Sequence, residues 1–434
     1  MMRLELVSFP VREVKFGEQT AYKEGVLEID KEELVALVLQ DKKIASADLD
    51  VAFPGDQTRI TFIRSVVEPR IKVSGPGCVF PGILGPVETV GEGRTHRLSG
   101  FTVMASAQYQ TMIKMGISSG TVGLVDMWGP GAEVTPFGSL INLVLVLKLV
   151  DGVTELEAHS AIELAQFNVA HRLAETTRDK TSEGVDVFEL FDVDPSLPRI
   201  VYNLCFISQR IAPHSGIAFY GFPVREGLPI FIHPNELLDG AVTPDARTGA
   251  AWQPQCWAWM NHPIVLRLMK EHGKRLNFLG VILQRTSFET ELGKKVSAAS
   301  ASQMAKLMRA DGAILSGMCG VGNIFIGAAM TLQAYERKGI KTVMLHPEQG
   351  GEVDRPLVYY APEADAMVST GELNRVLKLP SPAKVIGCEP GQLIAGTPGE
   401  PASSPWSELT LDKLHAVTEG ADWWGRMNLT CKPY

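Results

Sequence analysis

Apolar and polar positions alternate at short range through the first hundred or so residues. Residues 4–9, 25–29 and 46–52 are brief runs bounded by turn formers, the pattern of strands. One helix interrupts them: Asp30-Lys31-Glu32-Glu33 supplies a capping pattern, and Leu34, Leu37 and Val38 follow on one face. Gly and Pro then crowd residues 74–93, which predicts a long loop. A second region begins near Asp151, where Thr154-x-x-Glu157 opens a helix with Leu156, Ile162, Ala165, Val169 and Leu173 at helical spacing. Residues 199–207 and 228–232 read as strands. Residues 243–255 show neither period and contain Pro244, Gly249 and Pro254, so they read as an exposed loop joining two domains.

Beyond that loop the pattern is clearest. His262-Pro263 starts a helix that Gly273 stops. A strand at 276–283, a helix at 302–310, a strand at 313–315, a helix at 324–338 and a strand at 342–345 follow. Short apolar strands alternating with helices imply a parallel sheet covered on both faces. The expected fold is α/β: a β-rich N-terminal domain (1–150), an α/β middle region (151–242), a linker loop (243–256) and a C-terminal domain (257–434) with a Rossmann-like parallel sheet.

Composition narrows the function classes. The 434 residues carry a net charge of −8, with 45% hydrophobic and 21% charged residues, which fits a globular protein and argues against a nucleic-acid partner. The longest apolar run, 141–150, contains Lys148 and is too short to span a bilayer, and no basic-then-apolar leader opens the chain, so a cytoplasmic location is expected. Cysteines at 78, 205, 256, 319, 388 and 431 form no C-x-x-C pair, which favours reduced thiols. The histidines form no H-x-H or H-E-x-x-H pair, so no metal site is expected.

Candidate chemistry falls on loops. Ser316-Gly317-Met318-Cys319-Gly320-Val321-Gly322-Asn323 runs from a strand into a helix, where glycines admit a close ligand and a helix start favours an anion. A tight turn with Asn323 as N-cap explains the same residues. Gly320, Gly322 and Asn323 are thus substrate-binding candidates, and Glu348, in the loop following His346, falls on the same side of the sheet. His214 and His233 sit in loops where an acid–base residue can be displayed, although such histidines are also commonly solvated or structural.

Several strings in order, among them Met2-Arg-Leu-Glu-Leu6, Gly93-Arg94-Thr95-His96, Gly131-Ala132-Glu133-Val134-Thr135-Pro136-Phe137, Asp239-Gly240-Ala241 and the closing Thr430-Cys-Lys-Pro-Tyr434, resemble the component B α/β proprotein of the glycine, sarcosine and betaine reductases. That family is related to the D-proline reductase proprotein. The resemblance runs nearly end to end and adds Arg94, His96 and Glu133 as substrate-binding candidates. It implies cleavage at an Asn-Cys bond, conversion of the cysteine to a pyruvoyl group, and a hetero-oligomer with a selenoprotein or thiol B-gamma subunit that attacks a small substrate. Ungapped counting from Asp239-Gly240-Ala241 to Asn261-His262-Pro263 puts the cleavage pair at Ala246-Arg247. Neither residue can perform the acyl shift, so no pyruvoyl cofactor is expected. Arg247 then stands as a catalytic candidate beside His214 and Glu348. The expectation is a reductase-complex subunit acting on a C–N or similar bond. A non-catalytic scaffold, or a lyase or hydrolase built on residues 317–322, are the alternatives.

Overall fold

A computed structural model describes residues 2–108, 123–182, 184–208, 216–224, 226–245, 254–286, 290–318, 322–348, 359–387, 404–411 and 414–426. The candidates His214, Ala246, Arg247 and Gly320 lie outside the described residues.

The N-terminal part is β-rich as expected. One sheet runs Val185–Glu189, Arg3–Pro10, Gly93–Ser99, Arg70–Ser74; a second runs Gly123–Asp126, Thr58–Val67, Phe101–Gln108, Ile141–Leu149, Ile44–Ala52. The helix Lys31–Val38 is capped by Asp30, whose side chain accepts from Glu33 N. The helix Glu155–Glu175 begins in the anticipated capping box of Thr154 and Glu157. It packs on the second sheet rather than forming a separate unit, stacking Phe167 on Phe80 with ring centroids 3.9 Å apart. Leu156 is exposed, so its buried stripe is Ile162, Ala165, Val169 and Leu173 with Ala158 and Ala161.

The other large sheet runs Ile230–Ile232, Asn277–Thr286, Arg199–Ile207, Gly312–Gly317, Lys341–Glu348, Ala366–Glu372, parallel except at the first edge. Its central strand, Arg199–Ile207, comes from the region that sequence alone separates from the C-terminal one. Lys384–Ile386 crosses back to pair with Thr58–Val67. The sequence boundaries therefore do not coincide with boundaries between sheets. Chain order across the five parallel strands is second, first, third, fourth, fifth, which puts a topological switch between Arg199–Ile207 and Gly312–Gly317.

Helices flanking the sheet are Pro263–Glu271, Glu291–Leu307 and Gly322–Glu336. The second starts eleven residues before its sequence reading, behind a Thr290 cap, because its Gly-, Ala- and Ser-rich first turns carry little apolar period. Asn323 lies inside the first turn of the third helix, not at its cap. Gly317 ends its strand at φ 120°, where a Cβ would stand 2.1 Å from the Cys205 carbonyl oxygen; close strand packing requires that glycine. Among the described residues, no helix is long and apolar enough to cross a membrane.

Candidate functional site

The flanks of the 243–255 segment are buried, against the expectation of an exposed loop: Thr243, Asp245 and Gln255 are each at most 7% exposed. Val242–Pro244 adds a strand to Ile217–Phe219, and Asp245 N donates to Gly216 O at 2.9 Å. Tertiary packing overrides the polar, Pro- and Gly-containing local sequence here.

Two elements, the long helix and Thr58–Val67, bring ionisable side chains towards Asp245. His159 and Glu163 are four residues apart on the long helix and so share a face. His159 Nε2 lies 4.0 Å from Asp245 Oδ1. Arg64 comes from Thr58–Val67 at a β-bulge, where Ile63 pairs with Ser106 and Ser65 with the adjacent Ala105, leaving Arg64 as the extra residue. Bulges bend a strand and re-aim a side chain, and here the Arg64 Nε donates to Ala107 O at 2.6 Å. Phe62, two residues before, holds φ 55°, and so does Glu419 at φ 58°, which accepts from Gln255 N at 2.5 Å. Backbone departures of this kind cluster where a structure over-determines a functional arrangement.

Electrostatics separates the members of this cluster. Burial, reinforced by the Asp245 charge, raises the Glu163 carboxyl to about 8, so it holds its proton at neutral pH. Burial and the Arg64 charge lower His159 to about 4, leaving a neutral imidazole. Burial also raises Glu419 to about 7, against the opposing Arg426 guanidinium. Both His159 and Glu163 are partly exposed. A protonated acid beside a carboxylate and a neutral imidazole can move a proton, and the Arg64 and Asp245 charges suit the two ends of a zwitterion.

The remaining sequence candidates have other occupations. Arg94 makes an exposed pair with Glu5 at 2.7 Å. His96 is buried, its Nδ1 2.9 Å from Thr177 O and its ring against Phe9. Glu133 is exposed at the end of the helix Gly129–Glu133. Gly322 opens its helix at φ 56°, and Glu348 closes its strand at the carboxyl edge of the parallel sheet. His233 caps Pro234–Leu238, accepting from Asn235 N. The cluster at Asp245 escaped sequence reading although a signal existed: His159, Glu163 and the fully buried Gln166 interrupt the apolar face of a helix.

Asp245 borders the segment to which the resemblance assigns the cleavage pair. Residues 2–413 match the model of the glycine/sarcosine/betaine reductase component B subunits. The chain belongs to this family. Its relatives include the glycine reductase complex component B subunits alpha and beta of Acetoanaerobium sticklandii, 31% identical over the whole of both chains. The betaine reductase complex component B subunit alpha of Peptoclostridium acidaminophilum is 34% identical over 89% of this chain and 88% of that one. The sarcosine reductase counterpart from the same organism is 31% identical over 89% of each. No solved structure matches the chain.

Residue identity at the counted position carries the expectation that the family's pyruvoyl group is absent. Arg247 carries no nucleophile for an acyl shift, and Ala246 no amide. Cys256 is fully buried at the start of Cys256–Met260, and burial beside Glu163 holds its thiol well above the ordinary range, so it is not a thiolate. Among the described residues, no group of three or more His, Cys, Asp or Glu side chains could hold a metal.

Proposed function

We propose that this chain is the substrate-binding subunit of a component B type reductase complex that works without a pyruvoyl group, acting on a small amine or amino-acid-derived substrate. The observation that carries this reading is the Arg64, His159, Glu163 and Asp245 cluster at the edge of residues 246–253 in a chain that matches the family over nearly its whole length. The named relatives are subunits of glycine, betaine and sarcosine reductase complexes.

In this reading Arg64 faces the substrate carboxylate and Asp245 the cationic nitrogen, with Arg247 available as a second clamp. A thiolate or selenolate of a partner subunit attacks the α-carbon; the new bond to sulfur or selenium forms as C–N breaks, and the bonding pair leaves on nitrogen. A quaternary ammonium departs as a neutral tertiary amine without needing a proton or an imine. That chemistry makes the loss of the carbonyl compatible with turnover. For a neutral amine, Glu163 transfers its proton to the nitrogen as the C–N bond breaks, so that it too leaves as a neutral amine.

The test is reconstitution with a thiol- or selenol-bearing partner subunit, with amine release as the readout and the chain's mass measured in the same sample. The expected outcome is turnover by an intact chain of 47.2 kDa that takes no label from a hydrazine-type carbonyl reagent. Two fragments meeting near residue 246, or a labelled chain, would refute the pyruvoyl-free reading. An intact, unlabelled chain that releases no amine would refute the reductase reading in favour of a scaffold.

A further inference from the structure

The long helix Glu155–Glu175 carries a polar stripe on the side it turns to the protein. His159, Glu163 and Gln166 recur at intervals of four and three residues, so they stand one above another over about 10 Å of helix. Exposure falls along that stripe: His159 and Glu163 are partly exposed, and Gln166 is completely buried. The stripe therefore runs inward from the surface.

Gln166 is anchored through its amide nitrogen alone. Nε2 donates to Ser65 O at 2.9 Å and to Val103 O at 2.8 Å, and because both partners are carbonyls the amide cannot be turned over. Its orientation is thus fixed, and among the described residues Oε1 is buried without a hydrogen-bond partner. This acceptor stands beside Ser65, the residue after Arg64, whose side chain also bonds the Cys256 thiol. Glu163 acts on the same thiol, and Asp245 acts on Glu163. Thr243 lies two residues before Asp245, hence on the same side of the chain; it is 2% exposed, and its Oγ1 has no partner either. Buried oxygens without a partner are costly, and two of them at one cluster mark a place for a donor that the described residues do not supply.

We infer, on the reading of the Asp245 cluster as the substrate site, that Gln166 and Thr243 position the substrate nitrogen through its N–H bonds, so that the site selects an amine keeping at least one hydrogen over a fully substituted ammonium. With the amine end inward, an N–H donates to Gln166 Oε1 while the rest of a small molecule stays against Glu163 and His159. A nitrogen with four carbon substituents has no hydrogen to give. It fills the space and leaves both oxygens unpaired, which is the sharper form of discrimination because a buried polar group then goes unsatisfied.

Calorimetric titration of the intact chain with glycine and its N-methyl, N,N-dimethyl and N,N,N-trimethyl derivatives tests it. Each methyl group adds similar bulk to the protonated amine, but only the last removes the final N–H. That last step is expected to weaken binding by about tenfold or more, and the earlier steps by less. In Gln166→Met, a side chain of similar length without the acceptor, the last step should shrink to the size of the others. That variant also gives up the bonds to Ser65 and Val103, so Thr243→Val, which removes a hydroxyl and keeps the shape, should shrink the step in part and decides the matter where Gln166→Met fails to fold. Equal affinity for the dimethyl and trimethyl compounds, no binding of any of the four, or a last step unchanged in the folded variants would overturn the assignment. A chain that keeps this step but releases no amine in the reconstituted complex would sink the reductase reading and leave the selection for N–H standing.

Discussion

Glu163 and His159 carry opposite pH signatures within one helical turn. The folded carboxyl of Glu163, at about 8, binds a proton that an unfolded carboxyl releases near 4.5. Its contribution to stability is therefore complete below about 4.5 and is lost as pH rises through about 8. His159, lowered from 6.5 to about 4, does the reverse: the unfolded chain takes the proton first, and stability falls as pH drops from 6.5 towards 4. Glu419 adds a decline that is complete by about pH 7. Glu163→Gln should thus abolish the loss of stability between pH 7 and 8 and, by removing a decline that opposes the His159 effect, steepen the acid limb between about 4.5 and 6.5, as measured by urea midpoints from pH 4 to 8. An unchanged alkaline limb would show that Glu163 is not protonated in the fold. Neither pKa was legible from sequence, because each depends first on burial and then on a distant charge, Arg64 for His159 and Asp245 for Glu163, which no local pattern connects to these positions.

At the level of elements, caps and periodicity were readable where local chemistry decides structure. The capping box at Thr154, the Asp30 cap and the Pro263 start were all visible because they satisfy backbone groups within one turn. Thr154→Ala removes the acceptor for Glu157 N and should cost about 1 kcal/mol in a urea denaturation series, since the position is exposed and little else is lost. The start of Glu291–Leu307 was not readable, because its cap at Thr290 precedes residues without an amphipathic stripe. The buried course of Val242–Pro244 was equally hidden: its partner strand Ile217–Phe219 is supplied by the tertiary fold. The bulge at Arg64 belongs to the same class, because a bulge is a property of two paired strands and not of one segment.

Across the whole molecule, the C-terminal chain is bound back onto the first sheets. Arg59 and Asp126, both fully buried, form a two-pronged pair at 2.7 and 2.9 Å, and the same guanidinium donates to the carbonyls of Pro380, Pro405 and Ser407. Asp126→Asn leaves that cation without its carboxylate and should cost about 3–5 kcal/mol, read as a lower urea midpoint together with faster proteolysis near residues 404–411. By itself the sequence determined the family, the α/β class and the helix starts at Asp30, Thr154 and His262, because these reside in local pattern and residue identity. Only the tertiary structure decided that Arg64, His159, Glu163 and Asp245 meet, and that Arg199–Ile207 joins the strands of the C-terminal region. The physical reason is that the cluster's charges and shifted protonation arise from shared burial among distant segments, which chain order does not encode.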